Sequence, residues 1–255
     1  MIRSLILLFF VTTITNPSLS RKAGETEITT EDGIEVFQEE KYYLLKKNVE
    51  IYSDDLDLKG QNVKIFFNEN LYDVEELVAK EKVSFNSKSF NTKGSGSFVR
   101  FNVKNQNITI VGIQSELFLE GTQMFSDEKI SVDNINGKFL IIGPNSKLIS
   151  EDIYINGSKI NGSFEIINGK RDITNLIVED EKKLNIKTDD INMFAKRAEY
   201  EKNKSVIELF EEVQISRGNE IINGDYGILN TEKNSYKVFS DSTKKVKAII
   251  LDSNE

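Results

Sequence analysis

From about Val49 to about Val246, apolar residues recur at every second position: Val63/Ile65/Phe67, Val99/Phe101/Val103, Ile108/Ile110, Leu117/Leu119, Phe139/Ile141 and Tyr236/Val238 are examples. Successive side chains of a strand point to opposite faces, so this pattern describes strands with one covered face and one wet face. A helical period shows weakly near 193–200 and 206–210, and both stretches read equally well as strands. The alternation predicts an all-β chain.

The punctuation between the runs is equally regular. Ile-Asn-Gly occurs five times, beginning at Ile135, Ile155, Ile160, Ile167 and Ile222. Asn-Gly tolerates positive φ at both places and suits tight hairpins, bulges or kinks between short strands. A second recurrence places a hydroxyl and two acids before an alternating run: Ser53-Asp54-Asp55, Ser150-Glu151-Asp152 and Thr188-Asp189-Asp190. Like units at uneven spacing predict a sheet that grows by a degenerate repeat. With two prolines in the chain, Pro17 and Pro144, proline does not guard the sheet edges against added strands.

The chemistry open to such a chain is narrow. It has no histidine and no cysteine, which excludes Ser-His, Cys-His, thiolate and His-metal sites. The acid pairs Asp54/Asp55, Glu151/Asp152 and Asp189/Asp190 admit a calcium or glycosidase reading. Neighbours on a strand face opposite ways, however, and acids after Ser or Thr suit solvated turns. No catalytic residue, no metal and no cofactor is expected. Lys244-Lys245-Val246-Lys247 reads as a solvated end, and a formal charge of -8 argues against a nucleic-acid partner.

The N-terminus reads as an export signal. Arg3 precedes the apolar run 5–11, and small residues lead to a cut after Ser20. The run turns polar at Thr12, short of the roughly 20 apolar residues of a membrane span. The expected organisation is a signal peptide at 1–20, a flexible segment at 21–40, and a β-domain at 41–255 with extra strands at about 114–182.

The apolar face of the strands leaves two structural readings open. Closed on itself it is a filled core; with the sheets parted it lines a groove. Each lipid CH2 buried there contributes about 0.8 kcal/mol, so a chain of about a dozen carbons gains on the order of 8 to 10 kcal/mol gross.

One succession has a family likeness. Ile186-Lys187-Thr188-Asp189-Asp190-Ile191 is followed by Ala195-Lys196-Arg197-Ala198-Glu199-Tyr200, Val213-Gln214-Ile215-Ser216-Arg217-Gly218 and Ile222-Asn223-Gly224-Asp225. The last strand runs through Lys245-Val246-Lys247-Ala248-Ile249-Ile250-Leu251. This order resembles the LptA/OstA-like periplasmic lipopolysaccharide-transport bridge family, clearly over 184–251 and more faintly over 46–112. The resemblance implies an elongated, open, twisted β-jellyroll and no enzymatic activity. It implies lipopolysaccharide acyl chains as ligand and other jellyroll bridge components as partners, joined head to tail by edge-strand addition.

On that basis the expected groove is lined by Val49, Ile51, Leu56, Leu58, Val83 and Phe85 from the first half. Ile186, Ile191, Met193, Val213, Ile215 and Ile228 line it from the second. Val246, Ala248 and Ile250 form one assembly edge, with the strand after about Lys41 as its complement. An inner-membrane-anchored bridge component of the same fold (LptC-like) and a structural or adhesive β-repeat protein are the alternatives. Export to the periplasm is the expected localisation.

Overall fold

The computed structural model describes residues 21–69, 73–151, 153–241 and 243–250; the proposed signal at 1–20 lies outside them. Among the described residues eighteen strands join in one antiparallel sheet. They are β1 (Glu27–Thr29), β2 (Ile34–Phe37), β3 (Tyr42–Tyr52), β4 (Leu56–Phe67), β5 (Val74–Ser87) and β6 (Thr92–Asn102). Four short strands follow: β7 (Asn107–Val111), β8 (Ser115–Leu119), β9 (Thr122–Ser126) and β10 (Lys129–Asp133). The chain continues with β11 (Lys138–Ser150), β12 (Tyr154–Ile167), β13 (Lys170–Lys187), β14 (Ile191–Glu201), β15 (Val206–Arg217), β16 (Glu220–Asn230), β17 (Ser235–Phe239) and β18 (Lys247–Ile250).

The long strands turn a corner near their middles. The pairing register shifts between Lys46 and Val49, Lys80 and Val83, Glu179 and Leu184, Phe194 and Arg197, and Phe210 and Val213. At three of these corners two consecutive residues take positive φ: Lys47 and Asn48, Glu81 and Lys82, Glu211 and Glu212. A bulge leaves residues unpaired and bends its strand, so a column of bulges folds the whole sheet along one line. The fold line is a closed spine, and the hairpin turns lie along the opposite mouth.

The sheet thus becomes two facing leaves. Leaf one carries the second half of β3, the first half of β4, the second half of β5 and so on in alternation; leaf two carries the complementary halves. The short strands obey the same rule. β6 pairs with β8 through its first half and with β7 through its second, while β11 pairs with β10 and then β9. β7 with β8, and β9 with β10, therefore each stand for one bent strand interrupted at the spine. The stretch 114–182 continues the ladder of its neighbours and adds strands to it.

Between the leaves the alternating apolar residues form one cluster that runs the length of the molecule, from Leu45 to Leu229. The protein is an all-β, elongated jellyroll whose interior is packed over most of its extent. A filled interior removes apolar surface from water at about 25 cal/mol per Å² and gains dispersion contacts, so the leaves close wherever side chains from both sides fit.

Several expectations are placed by this geometry. Of the Ile-Asn-Gly triplets, those at Ile135 and Ile167 form hairpin turns, with Asn168 at φ 53 and Gly169 at φ 81. Those at Ile155 and Ile222 sit where β12 and β16 cross the spine, and the one at Ile160 lies within β12. The hydroxyl residue of each hydroxyl-acid-acid unit closes a leaf-one turn, Asp152 lying outside the described residues: the N–H of Ser53, Ser150 and Thr188 donates to the carbonyl of Leu56, Ile153 and Ile191 at 2.8, 3.0 and 2.9 Å.

The segment 21–40, expected to be flexible, instead carries β1 and β2. β1 pairs with the leaf-one half of β3 and β2 with its leaf-two half. Arg21 lies 2.6 Å from Asp54, whose carboxylate also accepts the Gly24 N–H at 2.7 Å. The Gly24 bond first, and Arg21 second, hold the Asp54 carboxyl below its ordinary pKa. It follows that the strand after Lys41, β3, is covered on that side and is not the free edge; β1 and β2 are.

Candidate functional site

The spine is closed, so access to the interior is through the mouth. Along the N-terminal part the mouth is plugged. Leu56, Phe85, Phe90 and Phe101 converge there, with the Phe90 and Phe101 rings edge to face at 5.5 Å, and leave a void of about 20 Å³. Phe85 can lie flat because Gly94 stands under it: a Cβ on Gly94 would meet the ring at 2.8 Å.

Farther along, the mouth opens into a cleft of about 630 Å³. Leaf one contributes the tight turns at Glu120-Gly121, Ser150-Glu151 and Thr188 to Asp190, with Ile153 and Ile191 beside them. Leaf two contributes Lys170 to Ile173, Leu176, Tyr200, Lys202, Ile207, Leu229, Thr231 and Asn234. The floor is apolar and the rim is charged. Beneath the floor a void of about 10 Å³ shares Ile153, Leu176, Tyr200 and Ile207 with the cleft and reaches Ile155, Val178 and Ile186. The cleft is a gap in the packing of the interior, roofed by charge.

The rim cations differ in their partners. Lys170 lies 3.5 Å from Glu151 across the mouth, and Lys202 is ion-paired with Asp172 on its own leaf. The Asp172 hydrogen bond raises the Lys202 pKa. At the far end Arg217 lies 2.5 Å from Asp190, and Tyr236 donates to Glu220 at 2.6 Å, tying the leaves together.

Arg171 is held differently. Its Nη2 and Nε donate to Asn134 Oδ1 at 2.9 and 3.3 Å, and its guanidinium lies 5.6 Å from the centre of the Phe164 ring. Asn134 is itself buried and donates to the Gln106 carbonyl at 3.0 Å. Arg171 has no carboxylate in ion-pair contact among the described residues. Burial lowers its pKa, with Glu120 across the mouth opposing. A half-buried, positioned and unpaired cation faces the cleft.

Eleven of the twelve expected groove residues fall in three groups. Val49, Ile51, Leu58, Val83, Ile186, Met193, Val213 and Ile215 are packed in the interior, at 4% exposure or less. Leu56 and Phe85 belong to the plug. Ile191 alone of the twelve lines the open cleft. Ile228 is a correction: β16 buries Gly227 and Leu229, so Ile228 between them faces outward. Of the expected edge residues, Ala248 and Ile250 lie in β18 and Val246 stands just before it. β18 pairs with β16 from Asn223↔Lys247 to Glu220↔Ile250, and Ile250 is 75% exposed.

Sequence reasoning missed Ile153, Ile173, Leu176, Tyr200, Ile207 and Arg171. One signal for Arg171 was available: it stands two residues before Ile173 in the same alternation, a charge in phase with an apolar face. Nothing local marks the others, because being at a gap depends on what the opposite leaf supplies.

The acids around the cleft stand on exposed turns or in ion pairs. A general acid needs a carboxyl in a dry pocket to keep its proton near neutral pH, and Glu120, Glu151, Asp189 and Asp190 are all exposed. No group of three or more metal-ligating side chains occurs among the described residues, and no helix there is long and apolar enough to cross a membrane.

No family model and no curated protein matches the chain. Among solved structures, it is matched with the crystal structure of LptH, the LptA-homologous periplasmic component of the lipopolysaccharide transport device from Pseudomonas aeruginosa. The match covers 89% of this chain and 96% of that one, at 7% identity and a TM-score of 0.24.

Proposed function

We propose that this protein is a non-enzymatic, periplasmic lipid carrier that shelters acyl chains of lipopolysaccharide in the mouth cleft as part of a bridge between the two membranes. The observation that carries the reading is the cleft: about 630 Å³ with an apolar floor and a charged rim. Its volume lies within the roughly 300 to 1,000 Å³ of small-molecule sites, and its layering matches an amphiphile with tails inward and headgroup at the rim. The sequence resemblance over 184–251 and the export-type N-terminus support the destination. A purely structural β-repeat needs no such gap.

Assembly follows from the ends of the trough. One end presents β1 and β2, the other β17 and β18, and each offers unpaired backbone groups to an added strand. The proposed partners are like jellyrolls joined end to end, including further copies of this chain.

Two experiments test the reading. Native mass spectrometry of protein taken from cell envelopes is expected to show a bound lipid. A photo-crosslinking residue at Leu176 or Ile207 is expected to label that lipid, and one at Gln214, which accepts from Lys183 at 3.0 Å on the outer face, is not. Absence of any bound lipid, or equal labelling at all three places, overturns the carrier function.

A further inference from the structure

Five Asn-Gly pairs punctuate the chain, and the structure holds four of them shut. A backbone carbonyl from a neighbouring strand stands against the place where a Cβ would lie on Gly137, Gly157, Gly162 and Gly224; the carbonyls are those of Phe164, Glu179, Asn175 and Phe239. Gly157 is paired with Ser146, Gly224 with Val213, and Gly162 with both Phe139 and Leu176. Asn136 stands in a turn but is tied by its side chain, whose Nδ2 donates to Asp133 Oδ2 at 2.7 Å. The Gly137 carbonyl beside it accepts the Phe164 N–H at 2.8 Å.

The fifth pair is open. Asn168 and Gly169 are both exposed in the two-residue turn between β12 and β13, and nothing lies within 4 Å of where a Gly169 Cβ would stand. The Asn168 side chain has no hydrogen bond among the described residues. β12 pairs with β11 only as far as Ser163, and β13 with β14 only from Asn175, so 164–174 is a two-stranded ribbon. Its base is fastened by Phe164 to Gly137 and by Arg171 to Asn134. Its tip is held by the rung Ile167↔Lys170 and by the exposed Lys170–Glu151 pair across the mouth. A two-stranded ribbon without lateral neighbours is marginally stable, so opening its tip costs little.

We propose that Asn168 is a self-modification site, where the side-chain amide is lost through cyclisation onto Gly169 to leave a carboxylate. The deprotonated Gly169 nitrogen attacks Cγ of Asn168, the bond from Cγ to the side-chain nitrogen breaks, and that nitrogen leaves as ammonia. The resulting succinimide is opened by water at one carbonyl to give aspartate, or at the other to give isoaspartate. One water enters and one ammonia leaves, with no oxidant, reductant or second protein. Glycine is suited to this step because no Cβ shields its nitrogen. The turn must flex for the two atoms to meet, and Asn168 is the place where it can. Each conversion lowers the formal charge by one and puts a carboxylate two positions before Lys170, on the ribbon that walls the cleft. The proposal is independent of the carrier function.

The test is an ageing series on the full folded chain at mildly alkaline pH, read by peptide mapping. Trypsin cuts after Lys159 and Lys170, so one peptide, 160–170, carries both the strand pair Asn161-Gly162 and the turn pair Asn168-Gly169. Tandem mass spectrometry locates the mass gain of replacing an amide NH2 by OH within that peptide, which makes each site the control for the other. In the folded protein Asn168 is expected to convert about tenfold or more faster than Asn161, the ratio that a local opening cost of about 1.4 kcal/mol produces. In urea the two are expected to convert alike, because both follow Ile and precede Gly. Asn136, Asn156 and Asn223 are expected to lag with Asn161. Asn168→Asp supplies the chromatographic standard for the aspartate product. Equal conversion of Asn161 and Asn168 in the folded chain overturns the proposal, as does a lead by any of the other three. So does an intact Asn168 over an interval in which the urea-unfolded chain converts.

Discussion

The mouth of the trough is built by the same repeat along its whole length, yet it is shut near Phe90 and open near Ile173. Near Phe90 the rim carries aromatic rings, and Phe85, Phe90 and Phe101 fill the space down to about 20 Å³. Near Ile173 the equivalent places hold Ile153, Ile173, Leu176 and a single ring, Tyr200, and about 630 Å³ is left. Side-chain volume at a few rim positions, not the path of the backbone, separates a closed interior from a site. The polar edge differs in step: Arg171, Lys170 and Lys202 cluster where the mouth is open.

The largest effect that sharpens this contrast comes from truncating the packed interior. Leu184→Ala or Met193→Ala, both fully buried, is expected to cost about 2 to 5 kcal/mol, through lost transfer energy and the cavity left behind. Ile173→Ala on the cleft floor is expected to cost under about 1.5 kcal/mol, because part of that side chain already meets water. Urea unfolding compares them. Equal losses at the two kinds of site would mean that interior and cleft are equally filled.

Opening the plug tests the contrast from the other side. Phe90→Ala removes one ring of an edge-to-face pair and is expected to cost about 1 to 2 kcal/mol. It is also expected to add a second, weaker binding event for dodecyl maltoside in calorimetry. A stoichiometry that stays at one would show that the N-terminal interior collapses instead of opening.

A pH dependence is expected at the tied C-terminal end. The Tyr226 and Tyr236 phenols are pushed up to about 12, by burial first and by their hydrogen bonds to Glu208 and Glu220 second. An unfolded tyrosine ionises near 10, so above that pH the unfolded chain binds fewer protons than the fold. The stability they contribute is therefore complete below about pH 10 and is lost as pH rises toward 12. Urea midpoints across this window are expected to fall, and Tyr236→Phe is expected to make the decline shallower. An unchanged slope in Tyr236→Phe would detach the titration from this residue.

The smallest effect is at the spine. Glu211 stands at φ 62, a left-handed conformation that costs a non-glycine residue roughly 1 to 2 kcal/mol. Glu211→Gly relieves that but frees the unfolded chain, so a net gain below about 1 kcal/mol is expected as a small rise in Tm. A fall in Tm would mean that the corner at Phe210 and Val213 needs the side chain.

Much of this was legible in the chain and some was not. Period two identified the strands and their inward faces, since Val213 and Ile215 are buried while Gln214 between them faces out. It misplaced Ile228, because Gly227 is an inward position with no side chain to display the phase. It left 21–40 as flexible, because β1 and β2 are short and expose Ile34 and Val36; their order comes from pairing with β3 and from Asp54 holding Arg21 and Gly24. The repeated hydroxyl-acid-acid units were legible as turns because a Ser or Thr oxygen bonds its own backbone locally, as Ser53 Oγ does in accepting the Leu56 N–H at 2.9 Å.

The sequence by itself determined that the chain is all-β, that its strands have a dry face and a wet face, and that His, thiolate and disulfide chemistry is absent. Those properties follow from residue type and from a period that each strand carries alone. The tertiary structure decided that most of the dry face is packed, that one stretch of the mouth stays open, and that Arg171 stands there on Asn134 with no carboxylate in ion-pair contact among the described residues. The physical reason is that a gap between two leaves is a property of both. Whether Ile173 or Leu176 meets a neighbour or a cleft is set by side chains twenty or more residues away, such as Ile153 and Ile207, which arrive only when the sheet folds along its spine.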